Sequence, residues 1–146
     1  MKVRGKKLLA AMLSLAMVLS MFVVPASAVT YEKEWDFSDS TLQSSITTIQ
    51  GGTGTLDGLE IDATQGKFGP NGSWPQFNTG AIIKVPVSVP DGQVAYVTIN
   101  AYSAGACTVD GKANTKGQEK EEFRCSGADG YVTIVSTAND YFGFCQ

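Results

Sequence analysis

The chain has 146 residues, with 11 Lys plus Arg against 14 Asp plus Glu, and it contains no histidine. The missing histidine excludes Ser-His-Asp and Cys-His nucleophilic sites, histidine-ligated zinc and copper oxygenases built on an N-terminal histidine. The sequence also carries no G-x-S-x-G elbow, P-loop or dinucleotide fingerprint.

The chain opens with Lys2, Arg4, Lys6 and Lys7, an apolar run LLAAMLSLAMVLSMFVV and the small-residue ending PASA. This is the pattern of a secretory signal over residues 1–28. The competing reading is a membrane anchor, because the run approaches the ~18–20 residues that span a bilayer. The A-S-A ending and the polar YEKEWD after it favour cleavage, an extracellular protein and no stable membrane anchor. Cleavage removes four cations and no acid, leaving 7 basic residues against 14 acidic ones, a net of −7. Scattered, outnumbered cations disfavour nucleic acid and anionic membrane as partners, and a polyanionic ligand would need a local basic patch or bridging cations. Residues 29–146 are enough for one domain with one core.

No segment after residue 28 repeats apolar residues at helical spacing, so little helix is expected. YEKEWDF alternates Glu32, Glu34 and Asp36 with Tyr31, Trp35 and Phe37, and reads as a strand pinned by Trp35. Residues 51–55, GGTGT, read as a loop. LDGLEID adds a short strand after the turn at Asp57. The stretch GPNGSWPQFNTG, residues 69–80, reads as another loop, and AIIKVPVSV as a strand with Ile83, Val85 and Val87 inward and Lys84 and Pro86 outward. In QVAYVTINAY, Ala95, Val97, Ile99 and Ala101 face the core while Tyr96, Thr98, Asn100 and Tyr102 face out. KANTKGQEKEE, residues 112–122, reads as a mobile hairpin loop, and GYVTIVST as a strand centred on Val132 and Ile134. Asp-Gly pairs at 57, 91, 110 and 129 are tight-turn signals, because glycine accepts positive φ without steric penalty. The sum is an all-β chain of eight or nine short antiparallel strands, a β-sandwich or jelly roll.

Three cysteines remain in a compartment that permits disulfides. Cys107 and Cys125 open and close segments able to lie side by side, so a bridge between them, with Cys145 left over, is the preferred pairing; the alternative is three free thiols. Asp57, Glu60 and Asp62 are the densest acids. Glu60 and Asp62 share a strand face, where a glycosidase pair is conceivable, but acids at the polar parity of a half-exposed strand are the plainer reading. No cofactor is implied, and clustered acids leave structural calcium open without an EF-hand spacing.

Two features suit a neutral polar ligand. Trp74 and Phe77 offer π-faces beside the amides of Gln76 and Asn78, the mixture that sugar rings require. Tyr96 and Tyr102, on one outward row with Thr98 and Asn100, would form a second platform spanning ~20 Å. Against these stand a Trp74 plugged into the core and a tyrosine row that reflects strand preference alone.

WDF at 35–37, LDGLEIDAT at 56–64, GKF at 66–68, QFNTG at 76–80, IKVPV at 83–87 and INAYS at 99–103 together resemble the small non-catalytic β-sandwich modules attached to secreted pectate lyases and pectinesterases of gut Firmicutes. The resemblance covers nearly all of the chain after residue 28. It implies a carbohydrate-binding-like module that works beside plant-polysaccharide enzymes, with a pectin-like polysaccharide as partner and a Q-x-N-x-G motif on Gln76, Asn78 and Gly80. No catalytic domain follows, and the chain stops at DYFGFCQ where such modules complete a last strand and continue, so a truncated C-terminus is expected. The alternatives are a structural spacer without ligand and, third, a small glycoside-cleaving enzyme.

Overall fold

A computed structural model describes residues 33–146; the expected signal segment, residues 1–28, lies outside the described residues. The chain forms β1 (Trp35–Asp36), the one-turn helix α1 (Ser40–Ser45), β2 (Ile49–Gln50), β3 (Thr53–Leu56), β4 (Leu59–Asp62), β5 (Lys67–Gly69), β6 (Gln76–Asn78), β7 (Ile82–Pro86), β8 (Ala95–Ala101), β9 (Cys107–Val109), β10 (Lys112–Ala113), β11 (Glu121–Cys125), β12 (Tyr131–Ser136) and β13 (Asp140–Cys145). Among the described residues thirteen strands replace the expected eight or nine, because several are pairings of two or three residues.

All pairings are antiparallel and build two sheets. One runs β11-β8-β13-β6-β5-β2, with β1 also on β13; the other runs β10-β9-β12-β7-β4-β3. From β6 onward the path crosses between the sheets at nearly every connection, with only the β9–β10 hairpin staying in one, and this is the jelly-roll winding. Strand alternation makes it possible. β8 is buried at Ala95, Val97, Ile99 and Ala101, and β12 at Val132, Ile134 and Ser136, so each sheet turns one face to the common core. At one end of that core Phe37, Phe68, Phe77 and Phe142 meet with centroids 5.4–6.5 Å apart, three pairs edge-to-face and Phe77–Phe142 tilted. Burying one such side chain contributes ~1.5–3 kcal/mol.

The Asp-Gly pairs divide into two kinds. Asp57-Gly58 and Asp110-Gly111 have positive φ at both residues and close the β3–β4 and β9–β10 hairpins. At 91 and 129 only the glycine is left-handed, and the pairs lie in longer connections between the sheets. Of the expected YEKEWDF strand only Trp35–Asp36 pairs, and Tyr31 and Glu32 lie outside the described residues; Trp35 is buried, with its indole N–H donating to the Asp57 carbonyl at 3.0 Å.

Three local expectations change. The GGTGT loop is largely strand β3, where Gly54 has no side chain to displace Ile49. The GPNGSWPQFNTG loop carries strand β6 at Gln76–Asn78, which pairs with β13 of the DYFGFC segment in the larger sheet. Residues 112–122 are held rather than loose: Asn114 is buried, accepts from the Cys107 N–H and donates to the Ser103 and Lys116 carbonyls.

The expected Cys107–Cys125 bridge is absent, and all three cysteines are free and buried. Cys107 is on β9 of one sheet and Cys125 on β11 of the other. β11 passes the β9–β10 hairpin so that Glu121 reaches Thr115 beyond one end, while Arg124 reaches Lys112 near the other. Cys107 therefore lies towards the Glu121 end and Cys125 towards Asp110.

Candidate functional site

The outer face of the larger sheet carries a groove of about 420 Å³ lined by Asn71, Ser73, Trp74, Tyr102, Gln118 and Tyr141. Three adjacent strands assemble its aromatic part. The Phe142 N–H donates to the Pro75 carbonyl at 3.1 Å, which sets Trp74, just ahead of β6, beside β13. On the other side of β13 the Tyr102 N–H donates to the Tyr141 carbonyl at 3.0 Å, placing Tyr102, just past β8, against Tyr141. Trp74 and Tyr102 have centroids 6.0 Å apart at 86°, and Tyr102 and Tyr141 lie 5.6 Å apart at 83°. The three rings thus stand successively at right angles.

Trp74 is neither a core plug nor a fully exposed plate. It is half-buried, and one ring face rests on Gly143. A Cβ at that position would lie 2.6, 2.7 and 2.8 Å from Cε2, Cζ2 and Cδ2, three bonded atoms at nearly one distance, which places it over the face of the ring. The register of β13 against β8 shifts between Phe142 and Phe144, so Gly143 is the bulged residue, and its missing side chain lets the indole lie on the backbone. The opposite face of the indole is left to line the groove.

The polar walls are held from below. Gln43 of α1 donates to the Phe37 carbonyl at 3.0 Å and also to the Ser73 carbonyl, fixing the loop that carries Asn71 and Ser73. Gln118 has φ 58°, uncommon for a residue with a Cβ, and its N–H donates to the Ala101 carbonyl at 2.8 Å. Gly117 beside it packs so closely that a Cβ would stand 2.9 Å from the Tyr102 carbonyl oxygen. Asp140 accepts from the Ser103 N–H at 2.9 Å, and Glu121 accepts from the Thr115 hydroxyl and the N–H groups of Thr115 and Lys116. Burial acts to raise the Glu121 carboxyl, but those hydrogen bonds together outweigh it and hold it below its usual 4.5.

Of the residues expected to bind sugar, Trp74 and Tyr102 come together here, joining what the sequence presented as two separate platforms. Tyr96 is exposed but far from them: it faces Arg124, six residues along β8 from Tyr102, roughly 20 Å of strand. Gln76 is half-buried on β6 opposite Tyr141, at the margin and not in the lining. Asn78 pairs with Lys67, and its carbonyl accepts from the Ala81 N–H at 2.9 Å. Gly80 follows with φ 86°, where a Cβ would meet the Gln65 carbonyl oxygen at 2.7 Å. In this chain, then, Q-x-N-x-G shapes a turn. Phe77 is core.

Sequence reading missed Asn71, Ser73, Gln118, Tyr141 and Gly143. For Tyr141 a signal existed, since it has the outward parity in DYFGFC, between buried Asp140 and Phe142. Gln118 carries none, because its place depends on a left-handed loop returning to β8.

The acids weighed for hydrolysis lie on the other sheet. Asp57 is an exposed turn residue paired with Lys33 at 2.9 Å, and Glu60 is exposed, 3.9 Å from Lys84. The Thr64 hydroxyl and N–H hold Asp62 below its usual value, opposite to the shift a general acid needs. No carboxylate lines the groove. Among the described residues no group of three or more His, Cys, Asp or Glu could hold a metal ion.

Fold and site together define a jelly-roll β-sandwich that presents one uncharged aromatic groove on a sheet face. Compared with known proteins, the chain matches no family model, no curated protein and no solved structure.

Proposed function

We propose that the protein is a secreted, non-catalytic module that binds plant cell-wall polysaccharide weakly through the Trp74 groove. The observation that carries this reading is the groove's lining: three aromatic rings, two amides and a hydroxyl, with no charged side chain. Sugar rings have weakly apolar faces that pack on indole and phenol, and a rim of hydroxyls that exchange hydrogen bonds with amides. The carboxylates of a pectic backbone find no cation in this lining, so uncharged chains associated with pectin suit it better.

One such site, shallow and uncharged, has a dissociation constant on the order of 0.1–1 mM, about −4 to −5.5 kcal/mol. Titration of the secreted protein with a panel of plant polysaccharides, followed by tryptophan fluorescence, tests the reading. Trp35 is 3% exposed, so a ligand-induced change reports on Trp74. Trp74→Ala, followed by titration calorimetry because it lacks the reporting indole, or Tyr102→Ala is expected to abolish measurable binding, and Tyr96→Ala to leave it unchanged. Failure of every polysaccharide to bind leaves the structural-spacer reading in its place, and unchanged binding in Trp74→Ala puts the binding surface elsewhere than this groove.

A further inference from the structure

The geometry of the groove also restricts how much of a glycan it can hold. Its rings stand at 86° and 83° to their neighbours, so no two adjacent aromatic faces lie in one plane for an extended chain to cover. Trp74, seated on Gly143, is a floor, and Tyr102 rises from it as a wall. The volume, about 420 Å³, is near the lower end of the ~300–1,000 Å³ that holds a drug-sized molecule, which is room for about one or two sugar rings.

The sheet face does not continue the groove towards Tyr96. The next outward positions are Asn100 on β8 and its register partner Phe144 on β13. Lys120 lies over Phe144, its Nζ 3.5 Å from the ring centroid. The Asn100 Oδ1 beside it is buried and without a hydrogen-bond partner among the described residues, so this part of the face is covered as well. The cover is the segment that begins with Gly117 packed on Tyr102 and Gln118 bonded to Ala101. Along the strands, therefore, the groove meets an end wall.

We propose that the site recognises the terminal one or two sugar units of a neutral glycan chain and does not bind along a chain or on a flat polysaccharide surface. This rests on the carbohydrate-binding reading above and names the part of the glycan it takes. An orthogonal floor and wall seat one ring on its face and enclose its edge. The amides of Asn71 and Gln118 then meet the hydroxyls that only a chain end leaves free. A site open along its length would behave otherwise, because each added unit would bring new contacts and further binding registers.

The test is a ladder of neutral gluco-, xylo-, manno- and galacto-oligosaccharides of one to six units, titrated into the secreted protein at equal molar concentrations. Affinity is expected to rise from mono- to disaccharide and then to stay within about twofold up to the hexasaccharide. Partial hydrolysis of a bound polymer at constant mass is expected to strengthen its competition in proportion to the ends created. Continued tightening beyond the disaccharide, or competition that weakens as the polymer is cut, overturns chain-end recognition while leaving carbohydrate binding intact. Absence of binding to every member of the ladder and to the parent polymers overturns both.

Discussion

The indole of Trp74 depends on a residue with no side chain. Gly143 combines a bulge in the strand and a bare backbone, and a methyl group there would overlap Cε2, Cζ2 and Cδ2 of the ring. Because the obstructed atoms belong to a rigid ring system, relief requires Trp74 to lift or rotate away. Gly143→Ala is expected to cost about 1–3 kcal/mol of stability by overpacking, to make the emission of Trp74 more solvent-like, and to weaken glycan binding at least tenfold. Urea unfolding and a fluorescence titration measure these. Unchanged emission and affinity would show that the indole does not rest where the geometry puts it.

Among the elements, the connection from β10 to β11 gives the groove Gln118 and, through Lys120 over Phe144, its end wall. Its charged, glycine-containing sequence carries every composition cue of a loose loop, yet buried Asn114 and the Glu121 carboxylate bind its backbone at several points. A composition argument could not anticipate this, because the acceptors that satisfy residues 115 and 116 are supplied by a strand that begins at 121. The folded state holds the Glu121 carboxyl below its usual 4.5, so it favours the charged form. The stability this contributes is fully present above the ordinary value and is lost as pH falls through the lower, folded value. Amide hydrogen exchange at Thr115 and Lys116, corrected for intrinsic rates, is expected to show protection that is constant above pH 4.5 and declines below it. Glu121→Gln is expected to lower protection already at neutral pH and to remove most of the acid dependence.

For the whole molecule, stability rests on the packed faces of two sheets and on no covalent cross-link. Burial, with the charges of Asp140 and Glu121 adding to it, pushes the Cys107 thiol up to about 12. Burial, then the neighbouring Asp110 carboxylate, pushes Cys125 up to about 11, and burial raises Cys145 as well. Thiols so placed are almost entirely protonated near neutral pH and react slowly. The protein is expected to label at three thiols only after denaturation, to show no mass deficit of two hydrogens, and to melt at the same temperature with and without reductant. A two-hydrogen deficit that reductant removes would restore the bridge.

The sequence by itself determined the class of fold and the orientation of its strands. Alternation in the strands of Ile83, Val97 and Ile134 states which side chains are inward, and glycines able to take positive φ mark where the chain turns. Both are properties of a residue and its immediate neighbours, so they survive in a linear reading. It also named Trp74 and Tyr102, because their chemistry is visible without coordinates. Only the tertiary structure decided that these two share one groove with Tyr141, that Tyr96 and Asn78 do not, and that Cys107 stays apart from Cys125. The physical reason is that β13, the last strand, inserts between β6 and β8, and a jelly roll brings together positions separated by tens of residues. No local propensity encodes which distant strand becomes the neighbour; that follows from how the two apolar faces close on each other.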